Sequence, residues 1–357
     1  MAERTKRILY TLQKSLDVHI KPYNKPLTRR GHAQLTKPPD QGLFLVTGGA
    51  GFVGSHLVDA LMNQGTEVKV LDNLSNGSLG NIRKWLHHKH FQFIEGDLLN
   101  KKDVAESAKN CSVICHLAAN PEVKLSSVAP DVHFEQNIIA TYNLLEVVRQ
   151  SNAAESLVFT SSSTVYGDAE EIPTPETAPL EPISVYGASK LASEALISAY
   201  AHTYGFKART YRLANVIGAR SKHGIIYDFI HKLKENPHEL EILGDGTQAK
   251  SYIHIDDCVE AMLIGQKAAE KAVEVFNLGS EDWVDVKTIA TAVAEEMGLR
   301  NVVFHFTGGV DGGRGWKGDV KYMLLSTTKL KALGWKPKLN STQAVRAAAR
   351  STINELG

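Results

Sequence analysis

The sequence predicts an α/β fold: a doubly wound parallel sheet, followed by a smaller C-terminal α/β lobe. From residue 43 onwards, short and nearly continuous apolar runs alternate with longer amphipathic stretches. Strands of this kind are buried on both faces, which requires helices on both sides of a parallel sheet. The predicted strands are Leu43–Thr47, Val68–Leu71, Phe91–Ile94, Val113–Cys115 and Leu157–Thr160. The predicted helices include Val53–Asn63, Val132–Gln150 and Val185–Tyr204.

Composition and charge narrow the class of protein. Hydrophobic residues make up 43% of the 357 positions, which is enough for a packed core. The formal net charge of +1 gives no argument for a nucleic acid or a membrane surface as partner. Cys111, Cys115 and Cys258 form no Cys-x-x-Cys pair and no cluster with histidines, so we expect reduced thiols and no metal site. The first residues also lack the apolar segment of a secretory signal, and we expect a cytoplasmic protein.

A glycine-rich turn lies between the first predicted strand and the first predicted helix. Gly48, Gly51 and Gly54 are three residues apart in the segment TGGAGFVG. Glycine permits a tight turn and lets the backbone approach a pyrophosphate, which the N-terminus of the helix attracts. Asp72 ends the second strand, where a carboxylate binds the adenosine ribose and repels a 2′-phosphate. The sequence therefore predicts a Rossmann-type site for NAD rather than NADP.

A tyrosine and a lysine lie four residues apart in a later predicted helix, so Tyr186 and Lys190 share one helical face. A tyrosine ordinarily has a pKa of about 10. A neighbouring ammonium and the positive nicotinamide of NAD⁺ would both lower that pKa. Ser162 follows the fifth predicted strand, and its hydroxyl can both donate and accept a hydrogen bond. We predict that these three residues are catalytic.

With these motifs, the chain resembles the extended short-chain dehydrogenases/reductases of the NAD-dependent epimerase/dehydratase family. Within that family it is most similar to the UDP-glucose 4-epimerases. The resemblance runs from about residue 43 to residue 337. It rests on the ordered motifs TGGAGFVG, DNLSNG, GDL, HLAA, SSSTVYG, YGASK, RLANVIGA and GDGTQAKSYIHIDD.

The resemblance implies a full set of cofactor-binding residues, in which Asp97 and Leu98 contact the adenine and Asn137 supports the active-site geometry. The complete predicted set is Gly48, Gly51, Phe52, Val53, Gly54, Asp72, Asn73, Asp97, Leu98, Ala118, Ala119, Asn137, Tyr186 and Lys190.

For the substrate, the resemblance implies contacts from Asn215, Lys250 and Arg314 in addition to Ser162. Asn215 would bind near the diphosphate of a nucleotide sugar. Lys250 stands where these epimerases usually have a phosphate-binding arginine, so the charge is kept but two-point recognition is lost. Arg314 is the candidate for a second phosphate-binding arginine, although its spacing from the following Gly-Asp pair departs from the family pattern. A surface arginine is the alternative interpretation.

The residues after Ser162 favour one reaction within the family. The 4,6-dehydratases have an Asp-Glu pair there, and the decarboxylases have a glutamate at the second position, whereas this chain has Ser163 and Thr164. We therefore expect epimerisation at C4 of a UDP-sugar (UDP-glucose or UDP-galactose) through a 4-keto intermediate. NAD would stay tightly bound and be restored in every cycle. The alternatives are an epimerase of UDP-glucuronate or UDP-N-acetyl sugars, a nucleotide-sugar ketoreductase or decarboxylase, and a non-catalytic NAD or sugar-nucleotide sensor.

These assignments divide the chain into three parts. Residues 1–42 form a basic N-terminal extension with nine basic and three acidic residues. Residues 43–212 form the NAD-binding domain, to which segments around 251–280 return, and residues 213–357 form mainly the substrate-binding lobe. The resemblance also implies a homodimer, in which helices at about 131–150 and 185–204 pack as a four-helix bundle.

Overall fold

The predicted apolar runs form parallel strands in the computed structural model, which describes residues 42–151, 153–268 and 270–357. The strands are β1 (Phe44–Thr47), β2 (Val68–Asp72), β3 (Phe91–Glu95), β4 (Val113–His116), β5 (Ser156–Ser162), β6 (Lys207–Leu213), β7 (Asn215–Ile217), β8 (Glu239–Ile242), β9 (Ala249–Lys250), β10 (Tyr252–His254), β11 (Val273–Leu278), β12 (Val284–Asp285), β13 (Val303–Phe306) and β14 (Tyr322–Met323). The predicted basic extension lies outside the described residues except for its last residue.

One parallel sheet of seven strands carries the fold, with the order β11-β6-β5-β4-β1-β2-β3. The chain builds the sheet outwards in both directions from β1, so the order reverses between β1 and β4. In such sheets a crevice opens at the carboxyl ends of the two strands at the reversal, and ligands bind there. The predicted Rossmann-type doubly wound sheet is confirmed.

Helices cover both faces of this sheet and also build the C-terminal part. They are α1 (Phe52–Asn63), α2 (Leu79–Ile82), α3 (Lys101–Ala108), α4 (Pro130–His133), α5 (Ala140–Ser151), α6 (Val185–Tyr204), α7 (Ile225–Glu235), α8 (Ile255–Ala268), α9 (Val286–Glu296), α10 (Thr328–Ala332) and α11 (Ser341–Leu356). One hydrophobic core joins α1 and α8 to the sheet through residues such as Leu57 and Met262. A second core joins α3, α5 and α6 to the opposite face through residues such as Val104, Leu144 and Ile197.

A separate core holds the C-terminal part together. It includes residues of α7, α9 and α11, such as Phe229, Ile289 and Val345. Three small sheets lie in this part, and they pair β7 with β10, β8 with β13, and β9 with both β12 and β14. Residues 273–278, within the segment predicted to return to the first domain, form β11 at the edge of the main sheet beside β6. The exact division into domains stays a prediction.

The described residues also bear on the predictions about cysteines, metals and membranes. The three cysteines are buried and form no disulfide bond. Burial raises the pKa of Cys115 and Cys258 to about 12. Within the described ranges, no group of three or more His, Cys, Asp and Glu side chains could hold a metal ion. None of the helices in those ranges is long and apolar enough to cross a membrane.

A buried ion pair fixes α6 on the main sheet. The guanidinium of Arg212 on β6 donates from Nη2 to Glu194 Oε2 at 2.8 Å, and the two side chains are only 5% and 8% exposed. Arg212 Nη1 also donates to the Tyr166 hydroxyl at 2.8 Å, and that hydroxyl donates to Asn277 Oδ1 at 2.7 Å. The network therefore links α6, β6 and β11 in the interior, where an unpaired charge is costly.

We expect Glu194→Ala to lower the free energy of unfolding by about 3 kcal/mol, because it leaves the buried guanidinium of Arg212 without its counter-charge. Urea denaturation of the purified variant measures this change. The control is Glu295→Ala, whose ion pair with Arg346 lies at the surface with side chains 53% and 37% exposed, and which we expect to change stability far less. Equal losses in the two variants would contradict a special role for the buried pair.

Candidate active site

The glycine turn after β1 brings three chain segments together. Gly48 has φ +70°, and a Cβ there would lie 2.7 Å from the amide nitrogen of Ala118, which follows β4. A Cβ on Gly54 would lie 2.1 Å from the carbonyl oxygen of Gly48. Both contacts are too short for any side chain, so this turn requires glycine at both positions. The turn leads directly into α1, and the first N–H groups of a helix are free to bind an anion.

Asp72 anchors the glycine turn from the end of β2. Its Oδ2 accepts a hydrogen bond from the Ala50 amide at 2.9 Å, and its Oδ1 accepts one from the Leu74 amide at 2.8 Å. Burial raises the pKa of Asp72, while these backbone hydrogen bonds oppose that rise. A carboxylate has about four acceptor positions, so Asp72 can hold the turn and still accept hydrogen bonds from a ribose. The side chain thus holds the turn, and its part in cofactor binding stays a prediction.

The turn forms one end of a cleft of 910 Å³ at the carboxyl ends of the strands. All the predicted cofactor and substrate residues except Asn137 and Arg314 line this cleft. Asn73 Nδ2 donates to Asp97 Oδ2 at 3.0 Å, so two of the residues predicted to bind the cofactor hold each other in place. Ser162, Tyr186 and, from the C-terminal part, Lys250 line the same cleft.

The three predicted catalytic residues meet in the middle of the cleft. Helix α6 begins after Ser184, whose hydroxyl accepts a hydrogen bond from the Gly187 amide at 3.0 Å, and this cap places Tyr186 in the first turn. The Tyr186 phenol lies beside the Ser162 hydroxyl, which acts to lower the pKa of the phenol. Lys190, one turn later, is 4% exposed and donates from Nζ to the Thr160 carbonyl at 2.9 Å. The helix and the end of β5 are therefore joined at the site.

The protein's own groups leave Tyr186 protonated at neutral pH. Burial raises the pKa of Tyr186 to about 12, and the Ser162 hydroxyl only partly offsets this rise. Burial also lowers the pKa of Lys190 to about 8, while Glu194 opposes that change. Lys190 Nζ lies 5.9 Å from the centre of the Tyr186 ring. Lys190 alone therefore does not offset the effect of burial on the Tyr186 pKa, and the added effect of the nicotinamide charge stays a prediction.

Asn137 is a buried residue that is hydrogen-bonded to the segment after β4 and to α6. It is 2% exposed, its Oδ1 accepts a hydrogen bond from the Asn120 amide at 2.8 Å, and its Nδ2 donates to the Ser189 hydroxyl at 2.9 Å. It lies in a π-helical segment, Phe134–Ile139, which divides the predicted helix Val132–Gln150 into α4 and α5. The widened turn frees the Asn137 carbonyl to accept a hydrogen bond from the Thr141 hydroxyl at 2.6 Å.

The predicted substrate residues divide into two groups. Asn215 and Lys250 line the cleft, and Lys250 Nζ lies 2.6 Å from Asp319 Oδ1. Arg314 is not one of the described residues that line the cleft. Its two terminal nitrogens donate to the Asp168 carboxylate at 2.9 and 2.8 Å, and Nη1 also donates to the Asp319 carbonyl at 2.5 Å. These partners engage the Arg314 guanidinium, and its role in substrate binding stays a prediction.

Several cleft residues were not predicted from the sequence. Thr164 donates from Oγ1 to Ser162 Oγ at 2.9 Å, and Arg220 reaches from the C-terminal part to Ser55 and Asp59 on α1. Lys124 and Trp316 also line the cleft. Thr164 lies within the motif SSSTVYG, and Arg220 directly follows the motif RLANVIGA. These positions were the sequence signal that could have indicated both residues. Lys124 follows HLAA by only five residues, but no rule of spacing marks it.

Comparison with known proteins agrees with this geometry. Residues 44–279 match the model of the NAD dependent epimerase/dehydratase family. A protein of Methanocaldococcus jannaschii named as a putative UDP-glucose 4-epimerase is 31% identical over 309 residues, which cover 85% of this chain and 96% of that protein.

Solved structures give the same result. A crystal structure of a UDP-galactose 4-epimerase is 44% identical, with a TM-score of 0.79, and the match covers 88% of this chain and 100% of the other. The UDP-glucose 4-epimerase of Thermotoga maritima, solved with UDP-glucose, is 31% identical, with a TM-score of 0.78 and the same coverage. The chain therefore belongs to the NAD dependent epimerase/dehydratase family, and it is an NAD-dependent enzyme.

Proposed function

We propose that this enzyme interconverts UDP-glucose and UDP-galactose by epimerisation at C4 of the sugar. The observation that carries the proposal is that Tyr186, Ser162 and Lys190 line one cleft together with the glycine turn, Asn215 and Lys250. Such a cleft can hold a dinucleotide and a nucleotide sugar together, with the reacting carbon beside the phenol.

The residues around the glycine turn fit NAD. The short approach of Gly54 to Gly48 leaves room only for backbone beside the pyrophosphate, and Asp72 keeps acceptor capacity for the ribose hydroxyls. Asp97 and Leu98 would bind the adenine, and Lys190 the nicotinamide ribose. When bound, NAD accepts a hydride from C4 and later returns it. Because the cofactor is restored in each cycle, we propose that it stays bound between turnovers.

The protein's side chains handle the proton at O4. In the phenolate form, Tyr186 takes the proton from the sugar 4-hydroxyl, and Ser162 holds the same oxygen through its hydroxyl. Thr164 keeps the Ser162 side chain in place through the hydrogen bond at 2.9 Å. The 4-ketose turns about its diphosphate linkage, and Tyr186 then returns the proton to O4 on the inverted carbon. The net reaction therefore needs no external oxidant or reductant.

The residues after Ser162 support epimerisation over the other reactions of the family. Elimination of water would require an additional acid and base beside the sugar, and the side chains at these positions are the hydroxyls of Ser163 and Thr164. The buried free thiols fit a reducing compartment, and we propose the cytoplasm as the location.

Turnover without added cofactor is the first test of the proposal. We expect the purified enzyme to convert UDP-galactose to UDP-glucose with no added NAD, because the cofactor is regenerated in each cycle. Product analysis by NMR over UDP-glucose, UDP-galactose, UDP-glucuronate and UDP-N-acetylglucosamine identifies the preferred sugar. A requirement for stoichiometric NADH or NADPH would instead identify a reductase.

In the same assay, Tyr186→Phe should lower kcat by about a thousandfold, because the proton acceptor is lost, while bound NAD is retained. The matched control is Tyr322→Phe, a tyrosine 44% exposed and outside the cleft, which should behave as the parent enzyme. Turnover of Tyr186→Phe within tenfold of the parent would contradict the role of the phenol.

The charge on the cofactor should control the ionisation of Tyr186. Burial holds its pKa at about 12 among protein groups alone, and a positive nicotinamide nearby favours the phenolate. We expect the phenolate absorbance, taken as the difference between the parent and Tyr186→Phe, to appear at least about one pH unit lower with NAD⁺ bound than with NADH bound. Identical titrations in the two redox states would show that another group activates Tyr186.

We also propose that the enzyme is a homodimer formed by the helices around α5 and α6. Phe134 and Tyr142, in and after the π-helical segment, are 54% and 38% exposed, and Tyr204 at the end of α6 is 44% exposed. Large aromatic side chains on neighbouring helices suit an interface. We expect light scattering to give the mass of a dimer for the parent and of a monomer for Phe134→Glu. The control Val303→Glu, at a residue 52% exposed on β13, should stay dimeric, and a monomeric parent would contradict the proposal.

A further inference from the structure

Two lysines from distant parts of the chain converge on one indole ring in the cleft. Lys124 Nζ lies 5.2 Å from the centre of the Trp316 ring, and Lys250 Nζ lies 5.4 Å from the same centre. Lys124 precedes α4, while Trp316 and Lys250 belong to the C-terminal part. Both distances are within the range in which an ammonium is attracted to an aromatic ring. Two like charges near one ring also repel each other, so a ligand of negative charge would bind favourably between them.

The two lysines differ in how far other protein groups neutralise them. Lys250 Nζ lies 2.6 Å from Asp319 Oδ1, and these side chains are 17% and 4% exposed, so this charge is closely paired. Lys124 Nζ lies 4.0 Å from the Asp228 carboxylate, and both side chains are about half exposed. An exposed pair at that distance contributes little. The Lys124 ammonium is therefore not closely paired within the protein, and it can bind a negatively charged ligand in the cleft.

The segments that carry Lys124 and Trp316 are both attached next to the catalytic helix. Lys124 lies in a 3₁₀ turn, Val123–Ser127, in which Ser126 Oγ accepts a hydrogen bond from the Tyr186 amide at 3.0 Å. On the other side, Arg314 is paired with Asp168, and the Gly315 amide donates to Asp319 Oδ2 at 3.1 Å. Lys124 is thus held next to α6, and the segment that carries the indole is held by Asp168 and Asp319.

We propose that Lys124, resting on the face of Trp316, is a cation of the substrate's diphosphate site, in the role that the sequence assigned to Arg314. The cation–π contact orients the ammonium while its three N–H groups remain free for phosphate oxygens. Lys250 supplies the other cation, with its charge reduced by Asp319. This inference rests on the proposed function, since it requires a nucleoside diphosphate in the cleft.

The test compares the binding of UDP and of uridine to the NAD-loaded enzyme by calorimetry. We expect Lys124→Met to raise the Kd for UDP by about tenfold or more, because a charge-assisted hydrogen bond to phosphate is lost. The Kd for uridine should not change, which also shows that the variant is folded. Lys124→Arg should bind UDP nearly as well as the parent. The matched control Lys102→Met, which removes an exposed charge on α3 outside the cleft, should match the parent for both ligands.

The role of Trp316 is tested by a double-mutant cycle. We expect Trp316→Leu to weaken UDP binding, and Trp316→Phe, which keeps an aromatic face, to weaken it less. The double variant Lys124→Met/Trp316→Leu should lose less UDP affinity than the sum of the two single losses, because part of the effect of the ring acts through Lys124. Fully additive losses would overturn the positioning role of Trp316.

The outcomes also separate this inference from the proposed function. If the parent binds UDP and Lys124→Met binds it equally well, Lys124 is not part of the diphosphate site, and the inference is wrong while the proposed function stands. If the parent fails to bind UDP at all, the proposed function and the inference are both wrong.

Discussion

A buried ammonium is the constraint on which the rest of the active site depends. Lys190 donates from Nζ to the Thr160 carbonyl at 2.9 Å, and the nitrogen lies 5.0 Å from the centre of the Phe159 ring. A charge removed from water needs fixed dipoles and rings in place of its hydration shell. Any shift of α6 along β5 would remove those partners. The position of Tyr186, one turn before Lys190, is therefore fixed relative to Ser162 at the end of β5.

The same charge keeps the polar interior around it neutral. Burial and the nearby Lys190 ammonium lower the pKa of His116 to about 3, so this histidine is uncharged at neutral pH. Its two ring nitrogens lie 2.9 Å from the hydroxyls of Thr47 and Thr141. Thr47 ends β1 just before the glycine turn, and Thr141 binds the carbonyl of Asn137. The cofactor turn and the catalytic helix are thus joined through one buried hydrogen-bond network.

The features that the sequence predicts well are those that depend on residues close together in the chain. The glycine turn follows from steric limits within Gly48–Gly54, and the shared face of Tyr186 and Lys190 follows from one helical turn. Long-range partners could not be predicted in this way. Arg314 is paired with Asp168, which lies 146 residues away, and nothing near Arg314 in the sequence indicates that pairing. The π-helical turn at Asn137 likewise depends on hydroxyls from α5 and α6, so the pattern of apolar residues predicted a single helix there.

An epimerase at C4 has to bind one hexose in two orientations, which limits the contacts it can make with the sugar itself. Binding energy from parts of the substrate that do not react can hold the reacting carbon in place. In this cleft, Lys124 and Lys250 lie beside the Trp316 ring, and Asp319 pairs with Lys250. The region around Tyr186 has small hydroxyl side chains, among them Ser162 and Thr164. With the proposed substrate bound, the two lysines would hold the diphosphate, and the small side chains near Tyr186 would leave room for the sugar ring to turn.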